Sequence, residues 1–217
     1  MQPVGVPKRA VIFDFDGVIM DTESAVVRAW RDECGALRLP FDEVAFAAAV
    51  GSTSLAPERV LALLGPAVHP GEFAVRVRAR LRESSAELPV LPGVRELLAE
   101  AAEAGVPTAV ASSASADWVR PHLRRAGLLD SFATIVSRDD AERKKPAPDL
   151  YLTALARLRV SPDATVAIED SATGVAAARA AGLRCVAVPG PVTVGHDFAD
   201  ADLRLPTLAD VRLADLF

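Results

Sequence analysis

The sequence predicts an α/β protein: a doubly wound parallel sheet forming a core domain, with an all-helical domain inserted after the first strand. Three observations predict it. Short apolar runs recur along the chain, helical patterns ending in glycine separate most of them, and from about residue 22 to 85 only helical patterns occur. Strands alternating with helices of ordinary length make βαβ units and hence a parallel sheet. The chain has 217 residues, 51% hydrophobic and 24% charged, enough for one core domain and a smaller insertion.

The first run, Arg9-Ala10-Val11-Ile12-Phe13-Asp14, leads into Asp16-Gly17 and reads as a buried parallel strand followed by a turn. Similar runs are Pro107–Ala111, Phe132–Val136, Thr165–Ile168 and Arg184–Val188. Between them, one helical pattern carries Val94, Leu97, Leu98 and Ala101 and stops at Gly105; another carries Val119 and Leu123 and stops at Gly127; a third runs from Ala172 to Ala181 and stops at Gly182. A glycine in each place suits the left-handed residue that closes a helix. In the insertion the apolar positions are Val26, Val27, Trp30 and Cys34; Phe46 and Val50; Val60, Leu61 and Leu64; and Phe73, Val77 and Leu81. This gives a core of residues 1–21 and 86–217 and a helical domain of residues 22–85. Arg76, Arg78, Arg80 and Arg82 on its last helix read as a solvated face.

Composition narrows the class of partner. A net charge of -5 with acids and bases interspersed leaves no basic footprint for nucleic acid. No apolar stretch approaches the ~20 residues of a membrane span, and Met1–Pro7 lacks the charged and apolar regions of a signal peptide. Cys34 and Cys185 lie far apart and read as reduced, buried thiols. His69, His122 and His196 have no ligand-like spacing and read as surface or loop residues, and Trp118 reads equally as facing the insertion or as helix packing. No GxGxxG or Walker sequence indicates a nucleotide. A cytoplasmic monomer acting on a small molecule, with neither nucleic acid nor membrane as partner, is the expectation.

Four motifs carry the chemistry. In Phe13-Asp14-Phe15-Asp16-Gly17, residues two apart face the same way, so the phenylalanines can pack inward while both carboxylates emerge at the strand's carboxyl end. That edge is where open α/β sheets bind ligands. Ile168-Glu169-Asp170-Ser171 and Val110-Ala111-Ser112-Ser113 also follow apolar runs, and Lys144-Lys145-Pro146-Ala147-Pro148-Asp149 precedes a helix. Taken singly, these are helix caps, a turn and a charged loop. Together they make a phosphate site. Asp14, Asp16, Glu169 and Asp170 would crowd negative charge into one cleft, which requires a hard cation and a lysine. Magnesium suits such oxygen ligands and leaves positions for water and phosphate. Ser112 can donate to phosphate oxygens at a helix start, and Lys145 supplies a cation.

The set resembles the four motifs of the haloacid dehalogenase superfamily, and the insertion after the first resembles the helical cap of its β-phosphoglucomutase-like subfamily. The resemblance implies a Rossmann-like core and an aspartyl-phosphate mechanism. Asp14 would be the nucleophile and Asp16 the acid/base; Ser112, Ser113 and Lys145 would bind phosphoryl oxygens. Mg2+ would be held by the carboxylates of Asp14 and Asp170 and the Asp16 carbonyl, with Glu169 acting directly or through water. Asp16 argues against the dehalogenating branch, and the absence of lysine from residues 22–85 argues against the phosphonate-cleaving branch. Arg28-Ala29-Trp30 matches the mutases, but Val26 stands where they carry histidine, and Ser54 where they carry the arginine that grips a second phosphate. In a mutase another cap residue, such as Arg59 or Arg76, would have to supply that grip. The expectation is a phosphatase for a small phosphorylated metabolite, first of all a sugar phosphate, with a mutase and a catalytically silent binding module as alternatives.

Overall fold

In the computed structural model, residues 9–47, 69–85 and 88–217 are described. Six strands, β1 (Ala10–Phe13), β2 (Thr108–Ala111), β3 (Thr134–Val136), β4 (Thr165–Glu169), β5 (Arg184–Ala187) and β6 (Leu203–Arg204), form one sheet in the order β3-β2-β1-β4-β5-β6. Every pairing is parallel. From β1 the chain builds outward through β2 and β3, then returns to the other side of β1 with β4. Strand order therefore reverses at β1, and a crevice opens beyond its carboxyl end.

Side-chain alternation sorts the strands' apolar residues onto two faces. Val11, Phe13, Val110, Val166 and Ile168 pack against α4 (Val94–Glu103) and α5 (Ala116–Arg125). Ile12, Ala109, Ala111, Ala167 and Cys185 pack against α6 (Asp149–Leu158) and α7 (Ala172–Ala180). Five strand runs and the three glycine-terminated helices stand where the sequence puts them, and Gly105, Gly127 and Gly182 all adopt positive φ. The two-residue β6 is an addition, too short to show a period. Cys34 and Cys185 are buried free thiols.

Between β1 and α4 the described residues form three helices, α1 (Thr22–Ala36), α2 (Glu43–Ala47) and α3 (Pro70–Ser85), joined by non-helical segments. Val50, Val60, Leu61 and Leu64 lie outside the described residues. Ala29 and Cys34 of α1 pack with Phe73 and Val77 of α3 in a cluster separate from the sheet's two. The Trp30 ring sits 4.9 Å from Phe46 and 5.1 Å from Phe73, and burial of Phe73 contributes about 2–3 kcal/mol. The arginine stripe of α3 faces water, as the sequence reading has it, and two of its members do more. Arg76 and Arg80, one turn apart on one helix face, both donate to the buried carboxylate of Glu33 on α1, at 3.4 and 2.6 Å. They are exposed to water yet fasten two helices together.

The chain leaves the core and returns to it side by side. Met20 bridges Val90 in antiparallel fashion, and the Leu91 amide donates to the Ile19 carbonyl at 2.9 Å. No helix of the described residues is long and apolar enough to cross a membrane.

Candidate active site

Register brings the motif residues to one level. Phe13 lies opposite Ile168 on one side and Val110 on the other, so Asp14, Glu169 and Ala111 emerge together where strand order reverses. The Asp14 amide continues the ladder by donating to the Ile168 carbonyl at 2.9 Å. Phe13 and Phe15 are fully buried beneath, as alternation requires.

Four charged side chains of this edge are almost wholly buried: Asp14, Lys145, Glu169 and Asp170. The Lys145 ammonium donates to the carboxylates of Asp14 and Glu169, the latter at 2.6 Å, and to the Ala111 carbonyl at 2.7 Å. Tyr151 of α6 donates to the same Glu169 oxygen at 2.5 Å, and its ring lies 4.9 Å from the ammonium. The other Glu169 oxygen accepts from the Asp170 amide at 3.2 Å and the Ser171 hydroxyl at 3.4 Å. Ser171 also caps α7, accepting from the Gly174 amide at 3.1 Å. Asp170 accepts from Thr193 at 3.3 Å. Asp14, Glu169 and Asp170 offer carboxylate oxygens within 4.8 Å of one another.

Asp16 is half-buried and turned to a different set of partners. It accepts from Thr22 at 2.7 Å, from the Trp118 indole at 3.0 Å and from Ser112 at 3.2 Å. Ser112, fully buried, accepts in turn from the Ala114 amide at 3.0 Å. Ser113 is half-buried in the same loop and takes no part in these hydrogen bonds. Beside the cluster, a cleft of about 660 Å³ runs between α2 and the segment after β5, lined by Val44, Ala172, Val192 and His196 among others.

The electrostatics follow from three buried carboxylates gathered around one ammonium that pairs with two of them. Burial, above all, lifts Asp14 well above the usual carboxylate range; Lys145 opposes this, and Glu169 and Asp16 add to it. Asp170 is raised in the same way, by burial and then by Asp14. Burial disfavours the Lys145 cation, but Asp14 and Glu169 outweigh it and hold Lys145 protonated. The site is one positive charge or more short of balance, and every free donor in it is a hard oxygen. That combination fits a divalent cation of the magnesium kind.

The family model described as "Haloacid dehalogenase-like hydrolase" matches residues 11–188. The chain belongs to the haloacid dehalogenase-like hydrolase family. It is 36% identical to YhcW of Bacillus subtilis (strain 168) over 95% of this chain and 94% of that one. It is 33% identical to hexitol phosphatase B of Escherichia coli (strain K12) over 95% and 96%. Among solved structures, CbbY of Rhodobacter sphaeroides in complex with phosphate superposes with a TM-score of 0.79 at 33% identity, covering 97% of this chain and 99% of that one. CbbY has also been solved in complex with xylulose-(1,5)bisphosphate, at a TM-score of 0.80 and 33% identity over 97% and 99%.

Within this haloacid dehalogenase-like fold the structure adds residues that the motifs do not contain. Gly17 has φ +77°, and a Cβ there would lie 2.1 Å from Asp170, so no side chain fits between the two motifs. Glu23, just inside α1, faces the same carboxylates; burial first, then Asp16 and Asp14, push it up to about 8. Tyr151 belongs to none of the sequence motifs, and its hydroxyl is invisible to periodicity. Trp118 resolves toward the site, through its N–H. His122 departs from the surface position expected of it. One turn beyond Trp118, it is buried against Phe15 and donates through Nδ1 to the Trp118 carbonyl at 2.7 Å. Ser54 and Arg59 lie outside the described residues.

Proposed function

We propose that the chain is a magnesium-dependent phosphatase that hydrolyses a small sugar or sugar-alcohol phosphate through an aspartyl-phosphate on Asp14. The observation that carries this reading is the buried group at the switch point: Asp14 and Glu169 sharing the Lys145 ammonium, with Asp170 alongside and the hydrogen-bonded pair of Asp16 and Ser112 next to them. A binding module has no use for so many uncompensated buried charges, each of which costs stability.

In the first half-reaction an Asp14 oxygen attacks phosphorus as the bond to the leaving oxygen breaks in line. Asp16 gives its proton to that oxygen. In the second half, Asp16 takes a proton from water as the water oxygen bonds to phosphorus and Asp14 is released. Splitting one displacement into two lowers each barrier, and a positioned acid/base contributes ~10²–10⁴-fold. Lys145 and Ser112, with Ser113 in the same loop, hold the non-reacting phosphoryl oxygens. Asp14, Asp170 and the Asp16 carbonyl would hold the cation, which supplies charge neutralisation and polarises the phosphoryl group. Glu169, with Lys145 and Tyr151 on one oxygen and Asp170 and Ser171 on the other, fixes the lysine and would act on the cation directly or through water.

Residues 22–85 act as a lid hinged on the Met20–Val90 crossing, closing over the cleft beside α2 to exclude water. The names of the relatives, hexitol phosphatase and a CbbY bound to xylulose-(1,5)bisphosphate, support a polyhydroxylated leaving group. A mutase must grip a second phosphate with a cation, and the guanidinium of Arg76 is already committed to Glu33. A reducing cytoplasm keeps the two buried thiols free. A screen of phosphorylated metabolites with Mg2+, reading phosphate release, tests the proposal with Asp14→Asn as control. Turnover of none, or equal turnover by the variant, refutes it.

A further inference from the structure

The two oxygens of Asp16 are not equivalent. Oδ1 accepts two hydrogen bonds, from Thr22 Oγ1 at 2.7 Å and Trp118 Nε1 at 3.0 Å, and Oδ2 accepts one, from Ser112 Oγ at 3.2 Å. Ser112 has a single hydroxyl proton. A phosphoryl oxygen bound at Ser112 takes that proton's hydrogen bond and frees Oδ2, while Oδ1 keeps both of its donors. An oxygen already accepting two hydrogen bonds is the poorer site for a proton, and an indole N–H can only donate.

We propose that Trp118 is a positioning residue for proton transfer: with Thr22 it fixes Oδ1 of Asp16 and leaves Oδ2 as the oxygen that carries the proton. This rests on the acid/base reading of Asp16 given above. As the Asp14–phosphorus bond forms and the ester bond breaks, the proton on Oδ2 passes to the ester oxygen. As water bonds to phosphorus and Asp14 is released, Oδ2 takes the water's proton.

The direction of the indole N–H is set before substrate arrives. Trp118 sits in the first turn of α5, its ring 4.3 Å from that of His122. His122 is anchored at both ends, by its Nδ1–H bond of 2.7 Å to the Trp118 carbonyl and by an edge contact at 5.9 Å with Phe15, the residue before Asp16. The tilted ring pair and the carboxylate are therefore tied to the same two residues of backbone. A donor held this way loses little freedom when it orients its partner.

Trp118→Phe keeps an aromatic ring against His122 and removes the donor. Leaving groups distinguish a positioning role from a packing one. An alkyl phosphate needs its departing oxygen protonated, whereas p-nitrophenolate leaves as a stable anion. For the variant, kcat/KM with a hexitol phosphate falls about tenfold and with p-nitrophenyl phosphate less than about threefold. Equal losses on both esters, or none on the alkyl ester, overturn the proposal. Asp16→Ala, measured in parallel, shows the same selectivity in larger degree. If it loses both esters equally, the acid/base reading falls and this inference falls with it. If Asp16→Ala is selective and Trp118→Phe is not, only this inference falls. Should Trp118→Phe fail to fold, proton–nitrogen NMR of the two indoles, assigned with Trp30→Phe, decides the matter. In Asp16→Ala the Trp118 Nε1–H signal shifts and exchanges faster with solvent while that of Trp30 stays in place; an unmoved Trp118 signal overturns the hydrogen bond and the proposal.

Discussion

Gly174→Ala is a substitution of one methyl group that should damage the site from behind. Gly174 is in the first turn of α7, and a Cβ there would lie 1.9 Å from Glu169 Oε2 and 2.2 Å from Oε1. That is roughly 1.5 Å inside ordinary van der Waals contact. The carboxylate cannot yield without leaving Lys145 and Tyr151, which hold its Oε1 at 2.6 and 2.5 Å. Two hydrogen bonds to a charged group are worth about 1.5–3 kcal/mol each. Helix propensity returns about 1 kcal/mol on replacing glycine by alanine. The net loss is about 2–5 kcal/mol, which lowers the melting temperature of a chain this size by roughly 5–15 °C. The same substitution at Gly35 in α1, where a Cβ meets no described atom within 4 Å, provides the control. Gly35→Ala should stabilise by about 0.4–1 kcal/mol. Urea unfolding of both variants, with phosphatase activity measured alongside, gives the comparison. Gly174→Ala at or above wild-type stability would refute the close approach of α7 to Glu169.

Asp14→Asn should lose at least about 10³-fold in turnover while keeping its circular dichroism spectrum, and its metal-free form should be no less stable than wild type, because one crowded carboxylate is neutralised; residual turnover near the wild-type level would remove the covalent route. Chelation should abolish activity and magnesium restore it, with calcium inhibitory because it accepts more ligands in looser geometry; full activity in excess chelator contradicts this. Burial raises Asp14 and Asp170 and lifts Glu23 to about 8, so the folded metal-free protein binds more protons than the unfolded chain between pH ~4 and those raised values. Its stability should therefore fall as pH rises toward 8, and magnesium should flatten the slope; urea midpoints that rise with pH in chelator would contradict the charge imbalance. β-Glucose 1-phosphate, where accepted, should yield inorganic phosphate in a phosphorus NMR time course primed with glucose 1,6-bisphosphate, and glucose 6-phosphate accumulating without phosphate release would establish a mutase.

The strand-end residues were legible because local rules place them. Alternation puts Asp14 and Asp16 beyond a buried strand, and Glu169 and Asp170 follow another, so motif and geometry coincide. What supports them was hidden by the same rules. Tyr151, Trp118 and His122 occupy helix positions where an apolar or aromatic residue already has a reason to be, and nothing in a 3.6-residue period reveals a hydroxyl or an N–H at the tip. Alternating arginines on α3 look solvated until α1 brings Glu33 against two of them, a contact 43 residues away in sequence for Arg76. Gly174 reads as an unremarkable small residue in an alanine-rich helix, because its constraint comes from the far end of another residue's side chain.

The antiparallel contact of Met20 with Val90 also bears on how such a chain can be taken apart. Neighbouring strands lie about 5 Å apart, a gap that a two-residue hairpin turn spans. Everything between those residues can thus be excised and the ends rejoined without stretching the sheet, since the outgoing and returning chain already pair there. The stretch that holds α1, α2 and α3 leaves and re-enters the core at nearly the same point. Exchanging it for a shorter, longer or unrelated insert would change which molecules reach the carboxylates while leaving the ladder that aligns them untouched.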